Sequence, residues 1–194
     1  MDVSCAILAG GKSTRMGRDK ATLQVCNKEL IQLVYEKAHF VFEDILVVSS
    51  HHDRFFGIEA PIVRDILPVP SSVVGIASAL LAANTPYVFV LACDMPFVTV
   101  QSIEHVLKEI HGEDIIVPHT NNGFEPLHAA YNRSCISIML TRIGLQRLKV
   151  ADLFPFFSVR EVGESPAFTN RGVSVFTNVT VEEDLSLVQC LGNG

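Results

Sequence analysis

Charge is scarce in this sequence, and positive charge scarcer. Charged residues make up 19% of its 194 residues, and 15 Lys and Arg stand against 21 Asp and Glu, for a formal net charge of −6. A pI near 5.6 argues against broad nucleic-acid binding, which wants a basic face. The five cysteines, Cys5, Cys26, Cys93, Cys135 and Cys190, form no CxxC pair. Free, buried thiols in a reducing cytosol are the expectation. The seven histidines include His51-His52, but no carboxylate or cysteine follows at zinc-ligand spacing. No apolar run reaches the length that spans a bilayer. The first run is also too short for a signal peptide, and Asp2 precedes it. There is no internal repeat and no low-complexity segment.

What remains is a chain that is 48% hydrophobic, which suits one domain with a sizeable core. Met1 to Ala9 reads as a buried strand of a parallel sheet. Leu30, Ile31, Val34, Tyr35 and Ala38 predict an amphipathic helix from Asn27 or Lys28. Asp44–Ser49 and Ile62–Asp65 read as strands, Ser72–Ala83 as a small-residue helix and Tyr87–Cys93 as a strongly β-like run. Thr99 reads as the N-cap of a helix over Ser102–Ile110. Beyond it, Ile115–Pro118 predicts a strand, His119–Gly123 a turn, and Glu125–Tyr131 a segment running back. A helix opens near Asn132 or Ser134, a short strand covers Ser174–Thr177, and a closing helix starts at Thr180. Alternation of strands and helices through residue 110 implies an α/β chain: a three-layer αβα, Rossmann-like, mostly parallel sheet. Ligands of such sheets sit at the carboxyl ends of the strands.

Three features fall at those ends: a glycine loop after the first strand, Asp65 after the third and Asp94 after the fourth. The loop Gly10 to Lys20 opens with paired glycines and carries four cations in nine residues, Lys12, Arg15, Arg18 and Lys20. Glycines let backbone N–H groups approach an anion, and Lys and Arg neutralise it. Gly11-Lys12-Ser13 resembles the end of a P-loop, but Ala6 stands where that motif needs its first glycine. No GxGxxG spacing is present either. Asp94, in Ala92-Cys93-Asp94-Met95-Pro96, is placed as a lone carboxylate that holds Mg²⁺ together with phosphate oxygens and water. The plainer alternative is an Asp that caps the following turn. His51, His52 and Asp53 read as a solvated loop.

The run Leu8-Ala9-Gly10-Gly11-Lys12-Ser13-Thr14-Arg15-Met16-Gly17-Arg18-Asp19-Lys20 resembles the signature of nucleotidyltransferases, and its Arg-Met-Gly-x-Asp-Lys variant is most similar to the molybdenum cofactor guanylyltransferase family. The resemblance implies the nucleotide-diphospho-sugar transferase type of fold. It implies one domain over 1–194, with a nucleotide-binding half over about 1–110 and an acceptor-binding half over about 111–194. It implies GMP transfer from GTP to molybdenum-bound molybdopterin, with Mg²⁺ as cofactor and pyrophosphate as the second product. GTP would be held by Leu8, Ala9, Gly10, Gly11, Lys20, Ser49, Asp65 and Asp94. Arg15, Lys20 and Asp94 would be catalytic, and Asp94 would hold the metal. Glu125, Pro126 and Asn178 would serve the acceptor. Hand-over partners would be the molybdenum-inserting enzyme and the apo-enzymes or chaperones that receive the product, in the cytoplasm, with no nucleic acid and no membrane involved.

The chain departs from the family pattern at Ser71-Ser72-Val73-Val74, where relatives carry Gly-Pro-Leu-Ala, and at Thr180, where they carry Asn. Two other readings follow. One is a transferase of the same fold acting with another substrate, as in cytidylyl transfer to molybdopterin or transfer to a sugar or polyol phosphate. The other is a nucleotide-binding protein with impaired catalysis.

Overall fold

A computed structural model of the chain describes residues 2–10, 20–25, 27–50 and 55–179. The first apolar run forms β1 (Val3–Leu8), with every side chain buried. Two short strands, β2 (Gln24–Val25) and β3 (Lys28–Glu29), pair antiparallel as a hairpin ahead of α1 (Leu30–His39). The sequence predicts a helix start at Asn27 or Lys28. Asn27 instead takes φ = 65°, a left-handed turn conformation that Asn tolerates better than most residues. The Gln32 side-chain oxygen then accepts the Glu29 N–H at 2.6 Å and closes the helix start. The chain continues through β4 (Ile45–Val48), β5 (Ile62–Val63), α2 (Ser72–Ala82), β6 (Tyr87–Ala92) and α3 (Val100–Leu107). At α3 the Thr99 hydroxyl accepts the Ser102 N–H at 3.0 Å and the Ser102 hydroxyl accepts the Thr99 N–H at 3.2 Å, the expected cap.

The second half supplies β7 (Ile115–Thr120), β8 (Gly123–Phe124), β9 (His128–Asn132), α4 (Ile136–Gly144) and β10 (Val159–Val162). A two-stranded ribbon of β11 (Thr169–Asn170) and β12 (Val173–Ser174) follows. The main sheet runs β10-β7-β9-β6-β1-β4-β5, with β8 paired to β7. β5, β4, β1 and β6 are mutually parallel. β9 lies antiparallel between β6 and β7, and β10 is parallel to β7. Among the strands of that path only β9 is reversed.

The sheet is covered on both faces. On one, α1 and α3 pack Ile31, Val34, Ile103 and Val106 against Ile7, Val47, Phe89 and Leu91. On the other, α2 and α4 pack Val74, Ala77, Leu80 and Met139 against Leu8, Val48, Val90 and Tyr131. α2 is apolar nearly all round, with every residue from Val73 to Leu80 buried. A helix of that kind belongs inside a layer rather than at a surface. A Cβ at Gly75 would lie 3.2 Å from Leu8 Cδ1, so glycine sets how closely α2 approaches the end of β1. Cys5, Cys93 and Cys135 are buried and in no disulfide, as expected; Cys26 and Cys190 lie outside the described residues.

Candidate active site

Four neighbouring parallel strands end on one edge in the order β6, β1, β4, β5. Their ends carry Asp94, Gly10, Ser50 and Asp65, spread over three strand spacings, or about 14 Å. A cleft of about 700 Å³ opens above them. Leu8, Ala9 and Gly10 form its floor, the Leu67–Pro70 segment and Ser71, Ser72 and Gly75 of the α2 start form one wall, and Cys93, Asp94, Leu127 and Asn178 form the other. The floor is rigid because β1 is bonded on both sides: the Ala9 N–H donates to the Val48 carbonyl at 2.9 Å, and the Cys93 N–H donates to the Leu8 carbonyl at 3.1 Å.

Asp65 leans over that floor. A Cβ placed on Gly10 would come within 3.6 Å of Asp65 Oδ2, although β4 separates their strands. The Ser50 hydroxyl, between them, donates to Asp65 Oδ2 at 2.9 Å. The backbone that carries Asp65 is pinned one residue later. The Ile66 N–H donates to Ser78 Oγ at 3.0 Å, and that buried hydroxyl donates onward to the Val74 carbonyl at 2.8 Å.

Asp94 is half-buried between apolar anchors, with Met95 and Phe97 almost fully buried beside it. The Val179 N–H donates to the Asp94 carbonyl at 2.9 Å, and Asn170 Nδ2 donates to the Phe97 carbonyl at 3.0 Å. The first bond straps the segment after β12 onto the Asp94 turn and carries Asn178 into the cleft, and the second ties β11 to the same turn. Among the described residues no group of three or more His, Cys, Asp and Glu side chains gathers as a metal site. Asp94 offers a hard oxygen donor of the kind Mg²⁺ takes beside phosphate oxygens and water.

The structure therefore brings Leu8, Ala9, Gly10, Asp65, Asp94 and Asn178 together in one cleft. Ser49 is not on its lining. It is fully buried, and its neighbour Ser50 faces the cleft. Strand alternation explains this: Leu46 and Val48 point to the α2 face, so Ser50 does too, while Ser49 follows Val47 to the other. Parity was the signal that could have found Ser50. Glu125 and Pro126 stand outside the lining, and only the next residue, Leu127, reaches it. The Pro126 carbonyl accepts from the Tyr131 hydroxyl at 2.7 Å. Glu125 is half-buried, and that burial raises its carboxyl to about 7. Gly11, Arg15, the Lys20 side chain, His51, His52 and the helix expected from Thr180 lie outside the described residues.

On the opposite face, at the head of β9, His128 is completely buried. Its ring meets Phe89 and Phe176 edge-on at 5.2 and 5.3 Å between centroids, and neither ring nitrogen has a hydrogen-bond partner. Burial pulls its pKa down to about 4, with the Ser102 backbone pulling the other way.

Comparison with known proteins agrees with this geometry. The family model described as MobA-like NTP transferase domain matches residues 5–152. A protein of Natranaerobius thermophilus named probable molybdenum cofactor guanylyltransferase is 31% identical over 191 residues, covering 95% of this chain and 93% of its own. The structure of molybdopterin-guanine dinucleotide biosynthesis protein A from Archaeoglobus fulgidus superposes with a TM-score of 0.82 at 26% identity, covering 97% of this chain and 98% of its own. The 2-C-methyl-D-erythritol 4-phosphate cytidylyltransferase of Thermus thermophilus shares the fold, with a TM-score of 0.72 at 16% identity over 97% of this chain and 98% of its own. With a family match across most of its length and a cleft on the carboxyl edge of its parallel strands, this chain belongs to the MobA-like NTP transferases.

Proposed function

We propose that this protein transfers GMP from GTP to molybdenum-bound molybdopterin, releasing pyrophosphate and leaving the guanine dinucleotide form of the cofactor. The observation that carries the reading is the placement of Gly10, Asp65 and Asp94 in a single cleft, in a chain whose curated relatives bear the guanylyltransferase name. The reaction balances without a covalent enzyme intermediate. An oxygen of the acceptor's terminal phosphate bonds to the α-phosphorus of GTP, and the bond from that phosphorus to the β-bridging oxygen breaks. The acceptor oxygen is already an anion, so no strong base is required.

The protein's task is then orientation and charge neutralisation. Asp65 would take the guanine N1–H and N2–H donors, a side-by-side pair that suits a carboxylate and that cytosine, adenine and uracil do not present. Leu8, Ala9 and Gly10 would carry the nucleoside across the floor, and Gly11, Arg15 and Lys20 would hold the phosphates. Asp94 would hold Mg²⁺, which when bound neutralises charge on the phosphates. Asn178 shares the cleft with Asp94, so the acceptor would enter from that wall, next to the β9 side where Glu125 and Pro126 stand. On this reading residues 1–110 serve mainly the nucleotide and residues 111–194 mainly the acceptor. Three buried cysteines outside any disulfide suit the reducing cytoplasm.

Competition among GTP, CTP, ATP and UTP, read by calorimetry with Mg²⁺ and by pyrophosphate release with the molybdenum-loaded pterin, tests the proposal. GTP preference with acceptor-dependent pyrophosphate supports it. Preference for CTP would move the protein to cytidylyl transfer, and nucleotide binding without pyrophosphate release would leave a binding protein.

A further inference from the structure

From the bond joining β4 to the segment after β5, we propose that Ser50 is a positioning residue for nucleotide selection: its hydroxyl sets the plane of the Asp65 carboxylate so that the remaining lone pairs face the cleft. This inference rests on the guanylyl reading and adds a residue to it.

Three observations support the role. The Ser50 hydroxyl donates to Asp65 Oδ2 at 2.9 Å. That same oxygen lies 3.6 Å from where a Cβ on Gly10 would stand, so Asp65 has been drawn across β4 to overhang the floor. The backbone beneath Asp65 is already fixed by the Ile66–Ser78 bond, which leaves rotation of the side chain as the freedom to be removed. A carboxylate offers about four acceptor positions. One is taken by Ser50, and its use fixes where the others point. Without that bond the carboxylate turns freely at the rim of an open cleft, and a paired donor edge such as that of guanine loses its preformed match.

Inosine triphosphate isolates the effect, because its base keeps N1–H and lacks the 2-amino donor. In Ser50→Ala we expect KM for GTP to rise about tenfold and KM for ITP about twofold, so that the preference for GTP over ITP falls about fivefold, the scale of a charge-assisted hydrogen bond partly lost. kcat stays within about twofold and the melting temperature is unchanged, since Ser50 lies at the cleft surface. Ser50→Thr, which keeps the hydroxyl, restores the preference. A fall in kcat for both nucleotides with the GTP to ITP ratio intact would overturn the inference while leaving guanylyl transfer standing. A changed preference between GTP and 2′-deoxy-GTP, with no change towards ITP, would place Asp65 on the sugar and overturn it as well. A wild-type protein that binds neither GTP nor ITP removes the guanylyl reading itself, and this inference with it.

Discussion

The two sides of Asp94 treat their polar groups in opposite ways. Towards β5, Asp65 keeps its carboxylate in an open cleft with a serine hydroxyl bonded to it, and Ser78 passes a hydrogen bond from the Ile66 backbone to α2. Towards β9, Glu125 is held half-buried with its carboxyl raised to about 7, and His128 is sealed among Phe89, Phe168 and Phe176 with its pKa lowered to about 4. Burial is the leading cause of both shifts. One side orients its carboxylate by a hydrogen bond; the other, by burial, favours the neutral form of its titratable groups. On the proposed reading, a side that reads a base or holds a cation needs oriented charge.

Removing the charge between the two sides is the harshest test of this contrast. Asp94→Ala should lower the rate of pyrophosphate release by about a hundredfold to a thousandfold, the scale of one lost electrostatic element. Far-UV circular dichroism should stay native, because Met95 and Phe97 still anchor the turn. A loss of only twofold would mean that the turn-capping role suffices for Asp94.

His128 gives the next largest effect, and it is read in stability. Its folded pKa of about 4 lies below the 6.5 of the unfolded chain. The neutral ring therefore leaves stability intact above pH 6.5, and stability falls as the pH drops from 6.5 through 4, by on the order of 3 kcal/mol. Urea midpoints at pH 7 and pH 4 measure it. His128→Leu should flatten that window and leave stability at pH 7 equal or higher, since it removes two unpartnered buried nitrogens. If the acid sensitivity survives in His128→Leu, the aromatic cluster is not its source. On the polar side, Ser78→Ala strands the Ile66 N–H that its hydroxyl accepts, and should cost about 2 kcal/mol at every pH.

The same contrast explains what could be read from the sequence. Through α3 most elements are specified locally: the apolar run of β1, the Thr99 cap and the small apolar residues of α2 all act within a few residues, and the strand ends follow from β/α alternation. Asp65 and Asp94 could be named because they end strands. After α3 the fold depends on distant pairing. The β7 strand runs on to Thr120, past Pro118, because His119 and Thr120 pair with β8. β10, Val-Arg-Glu-Val, has no apolar run to mark it and is fixed by its register on Ile115–Pro118. The strand expected over Ser174–Thr177 is instead Val173–Ser174, closed as a ribbon on Thr169–Asn170. Asn178 was read as an acceptor-side residue, yet its place in the cleft beside Asp94 comes from the Val179–Asp94 backbone bond, which no local pattern shows.

Glu125 offers the smallest and sharpest probe, because its pH response runs against that of His128. Its folded value of about 7 lies above its ordinary 4.5. Stability from the neutral carboxyl is fully present below pH 4.5 and is lost as the pH rises through 7. Between pH 4.5 and 6.5 Glu125 thus lowers stability with rising pH while His128 raises it, and the wild-type profile is their difference. Half exposure lets water screen the Glu125 contribution, so it should amount to about 1 kcal/mol. Glu125→Gln keeps the shape and removes the titration. It should be about 1 kcal/mol more stable than wild type at pH 8, equal to it at pH 4, and should show the His128 slope alone in between. A variant that gains nothing at pH 8 would mean that Glu125 is charged without penalty there. The β9 side would then hold charge as the β5 side does, and the contrast would reduce to His128.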